Sequence, residues 1–473
     1  MATNVQVQGP SSTEEGPLLR KKARFSIIDA LVLLVMCVLL YVGASWQMFH
    51  TNTDAARYQC YAVSFWQGMP AVNTLPSGQC QFLTHPSKDL VVISQGMLVN
   101  QMQQLGLSAG LIQFVSAQSP NQPLHALPNE YPGLAMIAFS LGLVVPADWY
   151  QVAFALWMLL IAGVVYFLLL RWCSRWAAIA YAFYLVVGGW GTVAGRFDII
   201  PSALTLLAVI CAERKRWEWA FFYLALATLL KIYPVLLLPP FLLALQMEMN
   251  GSWYAWRRWR SLGTFLLVCL VVMGISFLFS AVGTIAPLNY FGYRPVQVES
   301  FAASILWLLS LLQINPLSYV YSFGSLNVNS PFSASASLLT TALLGGGLLY
   351  TYWLQWRSKI NLATATLLSL LIMMVTNKVF SPQYLIWVVP LIAYIGGRNP
   401  WYLLVWGLLG LLTTWIYPYL YYTVHQIEAV PGLFLFYPVV TLRNFLLFGF
   451  VLFLLVAATR RPGLKGKSEI GLA

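Results

Sequence analysis

Long apolar runs separated by short polar or basic stretches make up most of the chain. The runs cover 25–49, 133–147, 149–170, 176–193, 199–212, 217–231, 233–247, 261–284, 301–313, 337–356, 361–377, 383–397, 400–418 and 440–459. Several have only ~14–17 residues, fewer than the ~20 that a helix perpendicular to a bilayer needs. Short runs predict helices that end early, with polar backbone covered by protein or facing a cavity. The pattern therefore predicts an all-α polytopic membrane protein.

Basic residues define a predicted topology, because positive charge favours the cytoplasmic side of a membrane protein. They occur in clusters between the runs, at Arg20–Arg24, Arg171/Arg175, Arg214–Arg216, Arg257–Arg260, Arg357/Lys359, Arg398 and Arg460–Lys467. If every cluster is cytoplasmic, the runs 133–147 and 301–313 cannot cross the bilayer completely. We therefore predict about twelve transmembrane helices, with both termini cytoplasmic.

The composition supports a membrane protein and argues against a nucleic-acid-binding protein. Hydrophobic residues make up 59% of the chain and charged residues 8%, which indicates a chain embedded in a bilayer. A net charge of +12 could indicate nucleic-acid binding. The basic residues, however, are clustered between the apolar runs, as expected for the cytoplasmic loops of a membrane protein, so no nucleic-acid partner is expected. We predict a disordered cytoplasmic tail at 1–24, one transmembrane catalytic domain at 25–459, and a basic cytoplasmic tail at 460–473.

The longest polar segment after the N-terminal tail, 50–132, is predicted to be an external loop carrying short amphipathic helices. Asp54 opens it, directly before the amphipathic stretch 55–66, so Asp54 could be a catalytic base or a helix N-cap. Cys60 and Cys80 both lie in this loop. On an oxidising side of the membrane they could form a disulfide, although the sequence does not decide this.

Further ionisable residues lie at the predicted external ends of short helices. They occur in the segments Gly195-Arg196-Phe197-Asp198, Lys231-Ile232-Tyr233-Pro234, Arg294-Pro295-Val296-Gln297-Val298-Glu299-Ser300 and Asn377-Lys378-Val379-Phe380-Ser381-Pro382-Gln383-Tyr384. Such groups indicate a functional site by default. The alternatives are structural: Arg196 and Asp198 could form a clamp, and Lys231 could extend from a helix end towards water.

The motifs that are missing narrow the chemistry. The sequence contains no HExxH, GxSxG or P-loop motif and no dinucleotide-binding fingerprint in a suitable context. It also lacks an Asp-x-Asp pair, which usually holds the divalent cation that neutralises a nucleotide-sugar diphosphate. No cofactor or metal dependence is therefore expected. A carboxylate near several cations suits sugar transfer from a lipid monophosphate.

Six motifs in order resemble those of family 87 of the GT-C integral-membrane glycosyltransferases, which includes DUF2029 proteins. They are Asp54-x3-Tyr58, Gly68-x-Pro70, Glu130-Tyr131-Pro132, Arg196-Phe197-Asp198-x2-Pro201, Leu230-Lys231-Ile232-Tyr233-Pro234 and Ser381-Pro382-Gln383-Tyr384. The long first external loop is similar to that of the wider GT-C superfamily. The resemblance implies a GT-C-like bundle and an inverting, polyprenol-phosphate-mannose-dependent α-mannosyltransferase. It makes Asp54 the general base. The chain departs from the family pattern at Tyr131-Pro132-Gly133, where Tyr-Pro-Pro is common.

This hypothesis gives each external polar residue a role. The residues expected to bind the donor phosphate are Lys231, Arg294, Arg196 and Lys378. Those expected to bind the sugar or the acceptor are Glu130, Tyr131, Asp198, Tyr233, Gln297, Glu299, Gln383 and Tyr384. The expected partners are a polyprenyl-phosphate sugar donor, a glycolipid or glycan acceptor and the lipid bilayer. The expected location is a prokaryotic plasma membrane, with the site on its external face.

Two other classes of protein remain open. A secondary transporter or lipid flippase would show internal repeats and charges near the bilayer midplane, and neither is visible in the sequence. A non-catalytic assembly or scaffold protein is the third possibility, although such a role does not require so many opposed charges on one face.

Overall fold

The fold is almost entirely helical, which confirms the all-α polytopic membrane class. The computed structural model describes residues 24–85, 93–424 and 426–460, so the two predicted tails lie outside it except for Arg24 and Arg460. The first helices are α1 (Ile27–Ser45), α2 (Asp54–Gln67), α3 (Gln81–Thr84), α4 (Gln95–Gln104), α5 (Ala109–Ala117), α6 (Ala135–Ser140), α7 (Tyr150–Trp172), α8 (Arg175–Gly189), α9 (Ile199–Glu213) and α10 (Trp217–Leu230). They are followed by α11 (Leu238–Glu248), α12 (Trp256–Phe279), α13 (Ala281–Tyr293), α14 (Phe301–Leu311), α15 (Ser333–Trp356), α16 (Leu362–Thr376), α17 (Tyr384–Gly396), α18 (Pro400–Thr414) and α19 (Phe436–Arg460).

In the part of the chain that the structure describes, six helical segments are long and apolar enough to cross a membrane: Ile27–Ser45, Ala147–Trp172, Trp256–Phe279, Ser333–Trp356, Pro400–Leu420 and Phe436–Arg460. Shorter apolar helices pack among them, including α9, α10, α16 and α17. Almost every residue of α16 and α17 is buried, so these two helices lie at the centre of the bundle. The total of about twelve spans stays a prediction.

Ion pairs lie at two opposite ends of the helices. At one end, Arg175 at the start of α8 pairs with Asp29 at the start of α1. Lys215, which follows α9, pairs there with Glu248 at the end of α11, and Arg260 pairs with Glu218. We call this the Asp29 end. It contains many of the basic clusters that predict the cytoplasmic side.

A second group of ion pairs lies at the other end of the same helices, which we call the Asp54 end. Among the described residues, its ion pairs are Asp54–Arg196, Glu130–Arg57, Asp198–Lys231 and Glu299–Arg443. Asp54 and Arg57 lie in the first turns of α2, Arg196 and Asp198 precede α9, Lys231 follows α10, Glu299 precedes α14, and Arg443 lies near the start of α19. This group therefore lies at the helix ends opposite the first group. The arrangement agrees with the predicted grouping of external charges, although the side of the membrane stays a prediction.

Two intervals between the predicted apolar runs, 285–300 and 314–336, contain regular structure. The first begins with most of α13, which continues to Tyr293. The second, 314–336, contains a hairpin of β1 (Ser318–Ser322) and β2 (Ser325–Asn329). Phe323 and Gly324 connect the strands with φ values of 53° and 66°, the left-handed backbone of a two-residue type I′ turn. The pattern of apolar runs did not reveal these elements, because α13 continues past its apolar run and each strand has only five residues.

A disulfide joins Cys60 in α2 to Cys80, just before α3. The sequence alone did not decide whether these two cysteines are bonded. Both cysteines are buried, together with Val63, Val72 and Leu75 in a small apolar cluster. The bond therefore fixes the segment after α2 against that helix.

Replacing both cysteines by serine is expected to loosen the segment between them. The bond spans 20 residues, and closing a loop of ~15 residues contributes about 3 kcal/mol in the chain-entropy description. Limited proteolysis of the segment 60–80 should become at least tenfold faster, with the transmembrane bundle intact. The paired replacement of Cys211 and Cys269 by serine, two free thiols, is the control. Equal proteolysis of the two double variants would contradict the prediction.

Candidate functional site at the Asp54 end

The start of α2 places Asp54 at the mouth of the bundle. Thr53 is the N-cap of this helix: its hydroxyl accepts a hydrogen bond from the Ala56 N–H (3.1 Å) and donates one to Gln151 (2.9 Å). Asp54 is instead in the first turn of α2, where the helix dipole stabilises a negatively charged carboxylate. Its Oδ2 atom pairs with the Arg196 guanidinium, so this carboxylate is already occupied by a cation.

A second ion pair lies deeper, between Asp198 and Lys231. Asp198 is fully buried, and its Oδ1 atom accepts hydrogen bonds from Lys231 Nζ and from Trp387 Nε1, both at 2.5 Å. Its Oδ2 atom has no hydrogen-bond partner among the described residues. Lys231 also lies over the rings of Phe197 and Trp387, each 5.2 Å from the ring centre. This pair is therefore held in place by aromatic residues.

Aromatic side chains form the wall beside Lys231. Tyr233 stacks on Trp387 with ring centres 4.1 Å apart, and Tyr384 stacks on the same indole at 3.9 Å. Tyr131 packs edge-on against Phe197. Three predicted sugar-binding residues, Tyr131, Tyr233 and Tyr384, therefore lie around one site.

A third ion pair links α2 to the end of the long loop. The Arg57 guanidinium pairs with Glu130 and lies 4.5 Å from the centre of the Phe82 ring. The Tyr61 hydroxyl donates a hydrogen bond to Glu130 (2.6 Å). Burial and the neighbouring Glu130 carboxylate raise the pKa of Tyr61 well above its ordinary value, so the hydroxyl remains protonated and can donate.

The Arg57–Glu130 pair lines a cavity of about 780 Å³ that opens at the Asp54 end. Its wall includes polar and aromatic side chains from separate parts of the chain: Asn52, Tyr61, Gln79, Gln81, Phe82, Asn129, Tyr290, Tyr321 and Glu428. This volume is within the ~300–1,000 Å³ that is common for ligand sites. The cavity is therefore large enough to bind part of a substrate.

The tip of the β hairpin closes one side of this cavity. The Tyr290 hydroxyl donates a hydrogen bond to the Phe323 carbonyl (2.8 Å), which holds the turn. A Cβ atom at Gly324 would lie 2.7 Å from the nearest Arg57 nitrogen. The positive φ favours glycine at this position, and a side chain here would also displace the Arg57 guanidinium.

Arg294 and Lys378 lie near each other and have no carboxylate partner among the described residues. Arg294 ends α13 and contacts the Ser325 hydroxyl (3.3 Å), while Lys378 Nζ donates to the Gly292 carbonyl (2.9 Å). The positive charge of Arg294 acts on Lys378. Of the four predicted phosphate-binding residues, these two have charges that remain unbalanced.

Three residues predicted to bind the sugar or the acceptor, Glu299, Gln297 and Gln383, form hydrogen bonds with other groups of the protein. Glu299 is 2% exposed, and its side chain accepts hydrogen bonds from Arg443 (3.0 Å) and Tyr421 (3.0 Å). Gln297 accepts from the Phe380 N–H (2.9 Å), and Gln383 accepts from the Ser381 hydroxyl (2.7 Å). These side chains fix the backbone around the site.

Several residues that build the site were given no role in the site predicted from the sequence. They are Arg57, Tyr61, Trp387, Tyr421 and Arg443. Arg443 gave a signal that could have been used, because an arginine inside the apolar run 440–459 needs a buried partner. Trp387 gave none, since tryptophan is common in apolar runs.

A comparison with protein-family models finds a match over residues 170–293, to the GPI transamidase subunit PIG-U. PIG-U is a multi-pass membrane family distantly related to GT-C-like folds. The match extends from the end of α7 to the end of α13 and includes Arg196, Asp198 and Lys231. No curated protein matches the chain.

This match corrects the functional prediction. The matched family is a component of a protein-processing complex and not a mannosyltransferase, so the predicted glycosyltransferase activity is wrong. The predicted donor and acceptor, a polyprenyl-phosphate sugar and a glycan, are wrong for the same reason, because such a subunit has protein partners. Charges at helix ends suggested transfer chemistry, but ion pairs of this kind can equally hold a binding subunit in shape.

Proposed function

We propose that this chain is a subunit of a membrane complex of the GPI transamidase kind and contributes a substrate-binding site at its Asp54 end. The observation that carries the proposal is the position of the family match: residues 170–293 supply Arg196, Asp198 and Lys231, which lie at the centre of that end. The matched segment therefore includes the charged core of the candidate site.

The chemistry of amide exchange supports a role in binding and a need for partners. A transamidase replaces one amide bond by another, which commonly requires an activated nucleophile such as a thiolate. Cys60 and Cys80 are joined in a disulfide, and the cysteines outside it, Cys37, Cys173, Cys211 and Cys269, lie in or next to apolar helices. Within residues 24–85, 93–424 and 426–460, the Asp54 end offers no free thiol. The nucleophile would come from another subunit.

The unbalanced cations suit the anionic part of a lipid anchor. Arg294 and Lys378 are adjacent and pair with no described carboxylate. A guanidinium and an ammonium together bind a phosphate through charge-assisted hydrogen bonds. We place the lipid phosphate there, with Arg196 and Lys231 holding the surrounding carboxylates in position.

Three finer predictions stay open beside this proposal. Membership of family 87 and a prokaryotic plasma membrane as the location are still predictions, as are the individual roles of Asp54, Glu130, Tyr131, Tyr233 and Tyr384. Each is now a prediction about a binding site at the Asp54 end. None of them restores sugar transfer.

Deleting the gene in the native cells tests the proposed function. Precursors of lipid-anchored proteins should then accumulate uncut at their anchor-attachment site, with a loss of at least ~90% of the anchored form, because the complex lacks its binding subunit. Mass spectrometry of the precursors and surface labelling of the anchored forms measure this. Re-expression of the wild-type chain is the control. Normal anchoring in the deleted cells would refute the proposal.

A further inference from the structure

The β hairpin has one covered edge and one open edge. The Val298 N–H donates to the Leu326 carbonyl (3.1 Å), and the Val328 N–H donates to the Val296 carbonyl (2.7 Å). Strand β2 is therefore hydrogen-bonded on both sides, to β1 and to the segment 296–298. Strand β1 is the edge strand.

The register shows which groups of β1 point outwards. Ser322 and Ser325 flank a two-residue turn, where the flanking residues form a hydrogen-bonded pair. Because hydrogen-bonded and non-hydrogen-bonded pairs alternate, the main-chain groups of Tyr319 and Tyr321 point away from β2. None of them forms a main-chain hydrogen bond with another described residue.

The sequence of this edge strand also lacks the usual protection against strand pairing. Natural edge strands commonly carry lysine, proline, a bulge or a covering element. Strand β1 reads Ser-Tyr-Val-Tyr-Ser and contains neither a charge nor a proline. Val320 is 44% exposed and Tyr321 is 48% exposed. The segment Ile427–Gly432 packs near β1, but among the described residues it forms no main-chain hydrogen bond with that strand. The outward main-chain groups beside the cavity are therefore available for a second chain to pair with.

We propose that β1 binds an extended polypeptide segment as an additional strand, with the bound segment entering the cavity beside Arg57. An extended chain presents alternating N–H and C=O groups about 7 Å apart, which is the spacing between the outward groups of Tyr319 and Tyr321. Tyr321 and Ser322 line the cavity, so the strand edge and the cavity are continuous. The inference rests on the proposed function, since it places the complex's protein substrate at this edge.

The charge of the cavity indicates which polypeptide fits. Arg57 and Glu130 neutralise each other across its wall. Glu428 also lines the cavity, is exposed, acts electrostatically on Tyr321 and has no ion-pair partner among the described residues. The remaining charge is negative. The bound segment therefore carries a lysine or arginine that faces Glu428.

The test uses the full chain in lipid nanodiscs and a synthetic ten-residue peptide of alternating threonine and valine with one central lysine. At millimolar peptide, amide hydrogen exchange of residues 318–322 should slow at least tenfold, because the outward N–H groups become hydrogen-bonded. The matched control is the same peptide methylated on alternate backbone nitrogens, which cannot pair along that edge. It should bind at least ~10-fold more weakly, as expected for the loss of several hydrogen bonds.

Two variants separate edge pairing from other modes of binding. Tyr321→Pro removes an outward N–H without removing a hydrogen bond to β2, and it should abolish protection of the edge. Glu428→Lys should weaken binding of the lysine peptide at least tenfold and favour an otherwise identical aspartate peptide. Equal binding of the methylated peptide, or no protection at all, would overturn the proposal. Protection by an oligosaccharide but not by the peptide would also overturn it.

The result is independent of the gene-deletion experiment. Strand pairing with normal protein anchoring in deleted cells would refute the proposed function alone. Failed anchoring in deleted cells with no peptide protection would refute the strand-pairing inference alone.

Discussion

Replacing Arg443 by alanine is expected to lower the free energy of unfolding by about 3–5 kcal/mol, the typical effect of breaking a buried ion pair. Arg443 is fully buried, and Glu299 is 2% exposed. The guanidinium donates to the Glu299 carboxylate (3.0 Å) and to the Glu299 carbonyl (2.7 Å). Its loss leaves a carboxylate buried with the Tyr421 hydroxyl as its remaining side-chain donor. Unfolding in mixed micelles, titrated with a denaturing detergent, measures the change.

The matched control is Arg260→Ala at the Asp29 end. Arg260 also pairs with a glutamate, but it is 59% exposed and Glu218 is 41% exposed. Exposed pairs contribute about 0–1 kcal/mol, because water solvates both charges. The double variant Arg443→Met/Glu299→Leu should recover most of the lost stability, since apolar residues of similar size often replace a buried pair without cost. Similar losses in Arg443→Ala and Arg260→Ala would refute the assignment.

Replacing Lys231 by methionine is expected to lower stability by a comparable amount, about 3–5 kcal/mol, and to abolish protein anchoring in cells. Lys231 is the one described cation bonded to Asp198, whose second oxygen is buried without a partner. Without Lys231, the Asp198 charge keeps Trp387 Nε1 as its hydrogen-bond donor. Detergent-titrated unfolding measures stability, and surface labelling of anchored proteins measures function.

A double variant separates the two effects of Lys231. Lys231→Met/Asp198→Leu should restore most of the stability while anchoring stays absent, if the pair also positions the substrate site. Full recovery of anchoring would show that the pair is only structural. Lys215→Met is the matched control, because Lys215 pairs with Glu248 but is 63% exposed. That variant should change neither stability nor anchoring by a measurable amount.

The positions of the helices were largely readable from the sequence, and the partners of their charged residues were not. The predicted run 149–170 became α7 (Tyr150–Trp172), and 199–212 became α9 (Ile199–Glu213), because a long apolar segment in a bilayer must satisfy its backbone within a helix. Asp54 and Glu130 were recognised as unusual. Their cations, Arg196 and Arg57, could not be chosen from spacing alone.

The functional prediction failed for a related physical reason. A carboxylate at a helix end looks the same in sequence whether it is a free base or the fixed half of an ion pair. Asp54 pairs with Arg196, and Glu299 is held by Arg443 at a sequence separation of 144 residues. The charges that suggested transfer chemistry are thus mostly balanced inside the fold. Among the described residues, Arg294 and Lys378 are exceptions, because neither pairs with a carboxylate.

The sequence by itself determined the class of protein, the places where most apolar helices lie, and the long polar loop that begins near Asp54. These features depend on local hydrophobicity, which every short segment carries by itself. Only the tertiary structure decided which charges pair, that Thr53 caps α2 in place of Asp54, and that β1 has an open edge beside a cavity. Those features depend on contacts between segments far apart in the chain, whose geometry is fixed only when the helices pack.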